Sequence, residues 1–305
     1  MTPRISVVTS TYQRVAELPR LYESLLAQTW EDFEWVLIDD GSSDGTGDLV
    51  REWARSAPFP IEYHWQENRG MGIGRNRGIE RARGEFCALI DSDDWYRPEA
   101  LERMVAHWEA IPGERRGDFA NVEGLRVDAH GELVGDRFPS DVFDSNVFEL
   151  EAVHGVEGDK IGMYRRDVLL RFPFPEDLGW HVTPAVVWNR IAARYSSRFV
   201  NEIWAGTGYE QGGLSTRETE LRLRYPDAQL LYWSEFAAMP RPMRRSARLR
   251  ANANRVRYSL LTGAGLRGGL AACPHAGWKL AAAPLGTLLC LRDRRRMRTI
   301  AQGED

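Results

Sequence analysis

The chain has 305 residues, 43% hydrophobic and 28% charged, with a net charge of -4. This balance excludes wholesale disorder, and the length allows one large domain or a domain with an appendage. Between Arg241 and Arg298 the only acid is Asp293, so the basic charge is gathered at one end, which points to an anionic surface, membrane or partner, rather than to nucleic acid.

Met1-Thr2-Pro3-Arg4 leads straight into a strand, without the regions of a signal peptide. The three cysteines, Cys87, Cys273 and Cys290, form neither a disulfide framework nor a zinc motif. Both features point to a reducing cytoplasm.

Ile5 to Thr9 is a short β-branched run, the mark of a strand buried on both faces. Leu18, Leu21, Leu25 and Leu26 follow at helical spacing, and Phe33 to Ile38 gives a second strand. The turn residues Asp39 to Gly45 precede a helix marked by Leu49, Val50 and Trp53. Ile61 to Trp65 is a third strand, Gly74 to Ala82 a helix, and Phe86 to Ile90 a fourth strand. This alternation predicts an α/β fold, a mostly parallel central sheet with flanking helices.

From Phe119 to Arg137 the pattern turns irregular and predicts antiparallel strands. Lys160 to Phe172 reads as a strand and helix, Pro184 to Tyr195 as a helix, and the chain from Thr216 onward as mainly helical. The expected organisation is one large domain over residues 1–215, with one half to about 115 and a second half over 116–215. A basic helical region follows over 216–305. Leu280 to Leu291 is too short to span a bilayer and is interrupted by Pro284, so it is expected only to lie on a membrane.

Ligands of parallel sheets sit outside the carboxyl ends of the strands. Three polar clusters fall there: Ser10-Thr11-Tyr12, Asp39-Asp40 and Asp91-Ser92-Asp93-Asp94. A D-x-D cluster can hold a hard divalent cation that bridges two phosphates, although acidic turns are common and Asp94 can equally cap a helix near Pro98. The glycines of Gly70-Met71-Gly72-Ile73-Gly74 do not follow the first strand, so they do not make a dinucleotide fingerprint.

The ordered series is Ile5 to Arg14, Trp35 to Thr46, Asn68-Arg69-Gly70, Arg75-Asn76-Arg77-Gly78, Gly84-Glu85-Phe86 and Asp91 to Asp94. It resembles the inverting family-2 glycosyltransferases of the GT-A fold, densely over residues 4–104 and more thinly to about 215. The resemblance implies transfer of a single sugar from a nucleotide-diphosphate donor, UDP- or dTDP-linked, with Mn or Mg as cofactor. It also implies that Tyr12 stacks on the base with Ser10 nearby and that Asp40 accepts the imide proton. Arg75 is then the basic contact beside the nucleotide, Asp91 the ribose acid, and Asp93, with Asp91, the metal ligand.

The family's general base is an acid just before a helix similar to Val186-Val187-Trp188-Asn189-Arg190, and here Pro184 stands in its place. Glu176, Asp177 and His181 are the substitutes, set against plain turn and packing roles. Gln229-Leu230-Leu231-Tyr232-Trp233 has Tyr232 where processive synthases carry arginine, so it reads as helix core. The acceptor is expected to be a glycan, a lipid-linked molecule or a small metabolite. Peripheral attachment to the inner face of the cell membrane would run through the C-terminal region, set against a helical lid whose arginines face the acidic domain or a partner subunit. The competing reading is a catalytically silent protein that binds sugar nucleotides.

Overall fold

The computed structural model describes residues 2–180, 182–208, 218–271, 273 and 276–302. They fall into two compact units, Met1–Pro175 with Arg190–Gln211, and Glu176–Asn189 with Gly212–Asp305.

The first unit alternates β1 (Ile5–Thr11), α1 (Leu18–Leu26), β2 (Phe33–Asp39), α2 (Thr46–Ser56), β3 (Ile61–Trp65), α3 (Met71–Arg81) and β4 (Phe86–Leu89). The four strands pair in parallel in the order β3-β2-β1-β4. Both faces of β1 and β2 are covered, which is why their sequences run apolar without alternation. Ile5 and Val7 join Leu18, Leu21 and Leu25 of α1 in the main core, together with Leu101, Met104 and Trp108 of α4 (Ala100–Glu109). The opposite face receives α3 at very close range: a β-carbon on Gly74 would stand 2.1 Å from Ser10 Oγ, and one on Gly78 2.4 Å from Val8 Cγ1.

Beyond β4 the sheet is mixed. Its remaining strands are β5 (Asp94–Tyr96), β6 (Phe119–Val127), β7 (Val142–Ser145), β8 (Ile161–Arg165) and β9 (Ser196–Thr207). Among the described residues they complete a nine-stranded sheet, ordered β3-β2-β1-β4-β8-β6-β9-β5 with β7 on β9. β6 runs antiparallel to β8 but parallel to β9, and its register shifts between Phe119 and Asn121 and again around Leu125. Those shifts explain why its alternation looks irregular in sequence. Helices α5 (Val147–Glu149) and α6 (Arg166–Arg171) lie in the same unit, and α7 (Ala185–Ala192) begins with Val186 and Val187 buried.

The second unit contains α8 (Glu218–Arg224), α9 (Pro226–Ala238), α10 (Arg245–Leu261), α11 (Gly265–Ala271) and α12 (Ala276–Gln302). Pro226 opens α9 at its first turn, where a missing N–H costs nothing. Gln229 and Tyr232 are buried in α9. Pro284 does not interrupt the apolar stretch as its sequence predicts: it lies inside α12, a single helix of 27 residues, on the solvent side. No described helix is long and apolar enough to cross a membrane.

Part of the C-terminal basic charge turns inward. Arg255 is buried and donates Nε to Gly269 O at 2.9 Å, and Arg257 Nη2 donates to Asp293 Oδ1 at 2.8 Å.

Candidate active site

Because β1, β2 and β4 are parallel, their carboxyl ends meet at one edge. Thr11 pairs with Asp39, and Val8 with Leu89, so the loops at residues 12, 40 and 91 leave the sheet side by side. The first two loops are laced together: Gln13 N donates to Ser42 Oγ at 2.8 Å, Ser43 N to Gln13 Oε1 at 2.9 Å, and Val15 N to Asp44 Oδ2 at 3.0 Å. Gln13 has φ +53, the left-handed conformation that turns the chain sharply after Tyr12. Tyr12 itself is 46% exposed and Ser10 is half-buried.

The adjacent acids Asp39 and Asp40 are both buried but serve different partners. Asp39 ties the turn, accepting from Ser42 N at 2.8 Å and from Tyr63 OH at 2.7 Å. Burial, then that hydrogen bond, raises the Tyr63 hydroxyl above its ordinary pKa. Asp40 accepts from Gln66 Nε2 at 2.8 Å, Arg69 N at 2.9 Å and Gly70 N at 2.7 Å. An ionised carboxylate has about four acceptor sites, so one is left over, on Oδ2.

Arg75, in the second turn of α3, reaches Asp91 with Nη2 2.5 Å from Oδ1. Burial raises the Asp91 carboxyl, but Arg75 and Arg126 outweigh it and hold the group below the usual carboxylate range. Asp93 is half-buried; its backbone oxygen accepts from Arg20 Nη2, and that guanidinium lies 3.9 Å from the centroid of the Trp95 ring. Asp94 is not a helix cap. It is the first residue of β5, buried, with Oδ2 2.9 Å from Arg126 Nη1, and α4 begins without a side-chain cap. Burial lifts Asp94 to about 7, with Arg126 pulling down and Asp91 pushing up.

Three side chains that sequence reasoning missed hold this edge. Arg126 carries buried positive charge behind the acidic cluster, on a strand whose register shifts hide its orientation. Asn76 clamps Phe174 in both directions, donating Nδ2 to its carbonyl and accepting from its N–H, each at 2.9 Å. Glu123 on β6 is buried and accepts from Tyr164 OH; burial raises its carboxyl above the ordinary value. Asn76 lies inside the Arg75-Asn76-Arg77-Gly78 motif but carried no role there, and no local pattern marked the other two.

The predicted site residues therefore divide. Ser10 near the end of β1, Tyr12, Asp40, Asp91 and Asp93 on loops, and Arg75 on α3 stand at the same edge of the first unit. Glu176 and Asp177 are exposed and belong to the second unit, and His181 lies outside the described residues.

Among the described residues no group of three or more histidine, cysteine, aspartate or glutamate side chains makes a metal cage. An ion that sits on nucleotide phosphates needs only one or two carboxylates from the protein. Asp93 and Asp91 are hard oxygen donors of that kind, so the residues fit such an ion and do not fit a protein-only site.

Residues 6–123 match the model of the family described as Glycosyl transferase family 2. The matched segment holds all six residues of the shared edge. The chain is 40% identical over 102 residues to the uncharacterized glycosyltransferase alr2836 of Nostoc sp., covering 33% of this chain and 32% of that one. It is 27% identical over 216 residues to the uncharacterized glycosyltransferase YibD of Escherichia coli, covering 65% and 60%. It thus spans less than two thirds of either relative.

Among solved structures, the glycosyltransferase fold is shared with S. aureus TarS 1-349 in complex with UDP-GlcNAc, at TM-score 0.63 and 17% identity over 92% of this chain and 79% of that one. It is shared also with the mannosyltransferase PcManGT from Pyrobaculum calidifontis in complex with GDP-Man and Mn2+, at TM-score 0.56 and 19% identity over 99% and 85%.

Proposed function

We propose that the chain transfers a single sugar, with inversion, from a UDP- or dTDP-linked donor to an acceptor hydroxyl. The observation that carries this reading is the meeting of Tyr12, Asp40, Arg75, Asp91 and Asp93 at one edge of parallel strands. The exposed Tyr12 ring stacks on the base, beside Ser10. The acceptor site left on Asp40 takes the one imide N–H of a uracil or thymine ring, while its other sites stay on Gln66, Arg69 and Gly70. Asp91, kept ionised by Arg75, accepts from a ribose hydroxyl, and Arg75 offers positive charge beside the phosphates.

Asp93, with Asp91, would hold Mg or Mn, which when bound supplies charge for the departing diphosphate. In the transfer the acceptor oxygen bonds to the anomeric carbon and the bond to the diphosphate oxygen breaks, its electron pair leaving with the diphosphate. The acceptor's proton passes to a base. Asp177 or His181 takes that role, with Glu176 as the remaining candidate, since Pro184 occupies the expected acid's place. The acceptor belongs to a cell-surface glycan or a glycosylated metabolite, and the C-terminal region attaches the enzyme to an anionic membrane.

Thermal-shift measurements with UDP, dTDP and GDP and their sugars, with and without Mn, test the donor side. Pyrimidine diphosphates should raise the melting temperature only with Mn, and Asp93→Ala should abolish the rise and slow turnover about 10²- to 10³-fold. A metal-dependent rise that survives Asp93→Ala overturns the metal assignment, and preference for GDP overturns the role of Asp40. Turnover on an acceptor should collapse in Asp177→Asn or in His181→Ala; full activity in both removes them as bases.

A further inference from the structure

Helix α12 is built inside out for a helix in water. The face it turns to α10 carries small residues: Ala282, Gly286 and Cys290 are buried, and a β-carbon on Gly286 would lie 2.5 Å from Ala253 O and 2.6 Å from Val256 Cβ. The large apolar residues point the other way. Leu280 is 78% exposed, Leu288 64%, Leu291 50% and Leu285 37%, with Ala281 and Pro284 exposed between them. Their gaps of five, three and three residues keep these leucines on one face of the helix, within an arc of about 140° at 100° per residue. A surface helix ordinarily does the reverse, burying its leucines and showing small or polar residues.

The stripe is continued by charge of one sign. Arg292, Arg295, Arg296 and Arg298 are exposed in the turns directly after Leu291. The one acid of that segment, Asp293, faces inward and is neutralised by Arg257 of α10. Exposed leucines followed by exposed arginines, with no surface acid between them, fit a surface that is apolar within and negatively charged at its boundary. A second protein copy would bring its own arginines against these.

We infer that α12 lies in the plane of an anionic lipid surface, Leu280, Leu285, Leu288 and Leu291 entering the acyl boundary and Arg292, Arg296 and Arg298 meeting the headgroups. This deepens the attachment named above by fixing its face and its lipid class. It does not depend on sugar transfer, because vesicle binding is measured without donor or acceptor.

The test is flotation of the full chain with vesicles of phosphatidylcholine alone or mixed with phosphatidylglycerol, at low and high salt. The wild type should float with the anionic vesicles only. Leu280→Ser combined with Leu288→Ser and Leu291→Ser should reduce partition at least about tenfold at either salt. Arg292→Gln with Arg296→Gln and Arg298→Gln should reduce it only at low salt, where the charges are unscreened. Circular dichroism and melting temperature serve as controls, since all six positions are exposed and should leave both unchanged. Wild-type protein that stays with the unfloated fraction, or a leucine variant that floats like wild type, overturns the inference. So does a wild-type dimer in sedimentation that the leucine variant dissociates, which would give this face to a second copy.

Discussion

Glu202, on β9, shows how one side chain can tie the sheet to a helix of its own unit. It takes Arg103 Nη2 at 2.6 Å, Arg103 Nε at 2.9 Å and His107 Nε2 at 2.9 Å, all from α4, and Trp204 Nε1 at 3.1 Å. The bond from Arg103 is the main cause that lowers the carboxyl from 4.5 to about 2, burial opposing and His107 assisting. The folded value is depressed, so the stabilisation is fully present above pH 4.5 and is lost as pH falls towards 2. Glu202→Gln should therefore melt lower than wild type at pH 7 and converge with it near pH 2, as followed by thermal denaturation across that range. At the same scale, the positions of Asp40, Asp91 and Asp93 after strand ends, and of Arg75 on a helix, could be read from the motif spacing. Arg126 and Glu123 were not, because charged residues inside a buried strand contradict the apolar pattern from which strands are read.

Elements built from β-branched runs between turn residues, such as β1 and β2, could be read directly from sequence. β5 could not: it has three residues, begins with an acid, and resembles the turn that precedes it. α12 was misread at Pro284, since a proline usually ends a helix, and here the ring sits on the open side of a helix held by its neighbours. The contact of α3 with β1 gives a direct test of packing. Gly78→Ala would gain about 1 kcal/mol of helix propensity, but its methyl would meet Val8 Cγ1, fixed in a buried strand, at 2.4 Å. Overpacking of this kind costs about 1–3 kcal/mol, so the variant should be less stable in urea. Gly113→Ala, with nothing within 4 Å, should not be.

At the scale of the whole molecule, the second unit draws residues 176–189 out of the middle of the first. A β-carbon on Gly179 would lie 2.8 Å from Tyr225 Cδ1, so that stretch is packed closely within its own unit. A chain ending at Ser215 lacks Tyr225 and every described helix after β9. Limited proteolysis should cut such a chain within 176–189 while leaving the full chain intact there; equal resistance would show that the first unit supports the segment alone.

The position of β9 also has a consequence for synthesis. It pairs with β5, β6 and β7, and among the described strands it is the last to leave the ribosome. Asp94 is translated early, yet its ladder partner is Thr207. Until that residue emerges, a nascent chain carries an acid-bearing segment with no strand to dock on and, at β6, an open edge ready to pair with another chain. Ribosomes paused between the codons for Asp94 and Thr207 would therefore hold this end of the sheet half-assembled, and this interval is where the growing chain has most need of a chaperone.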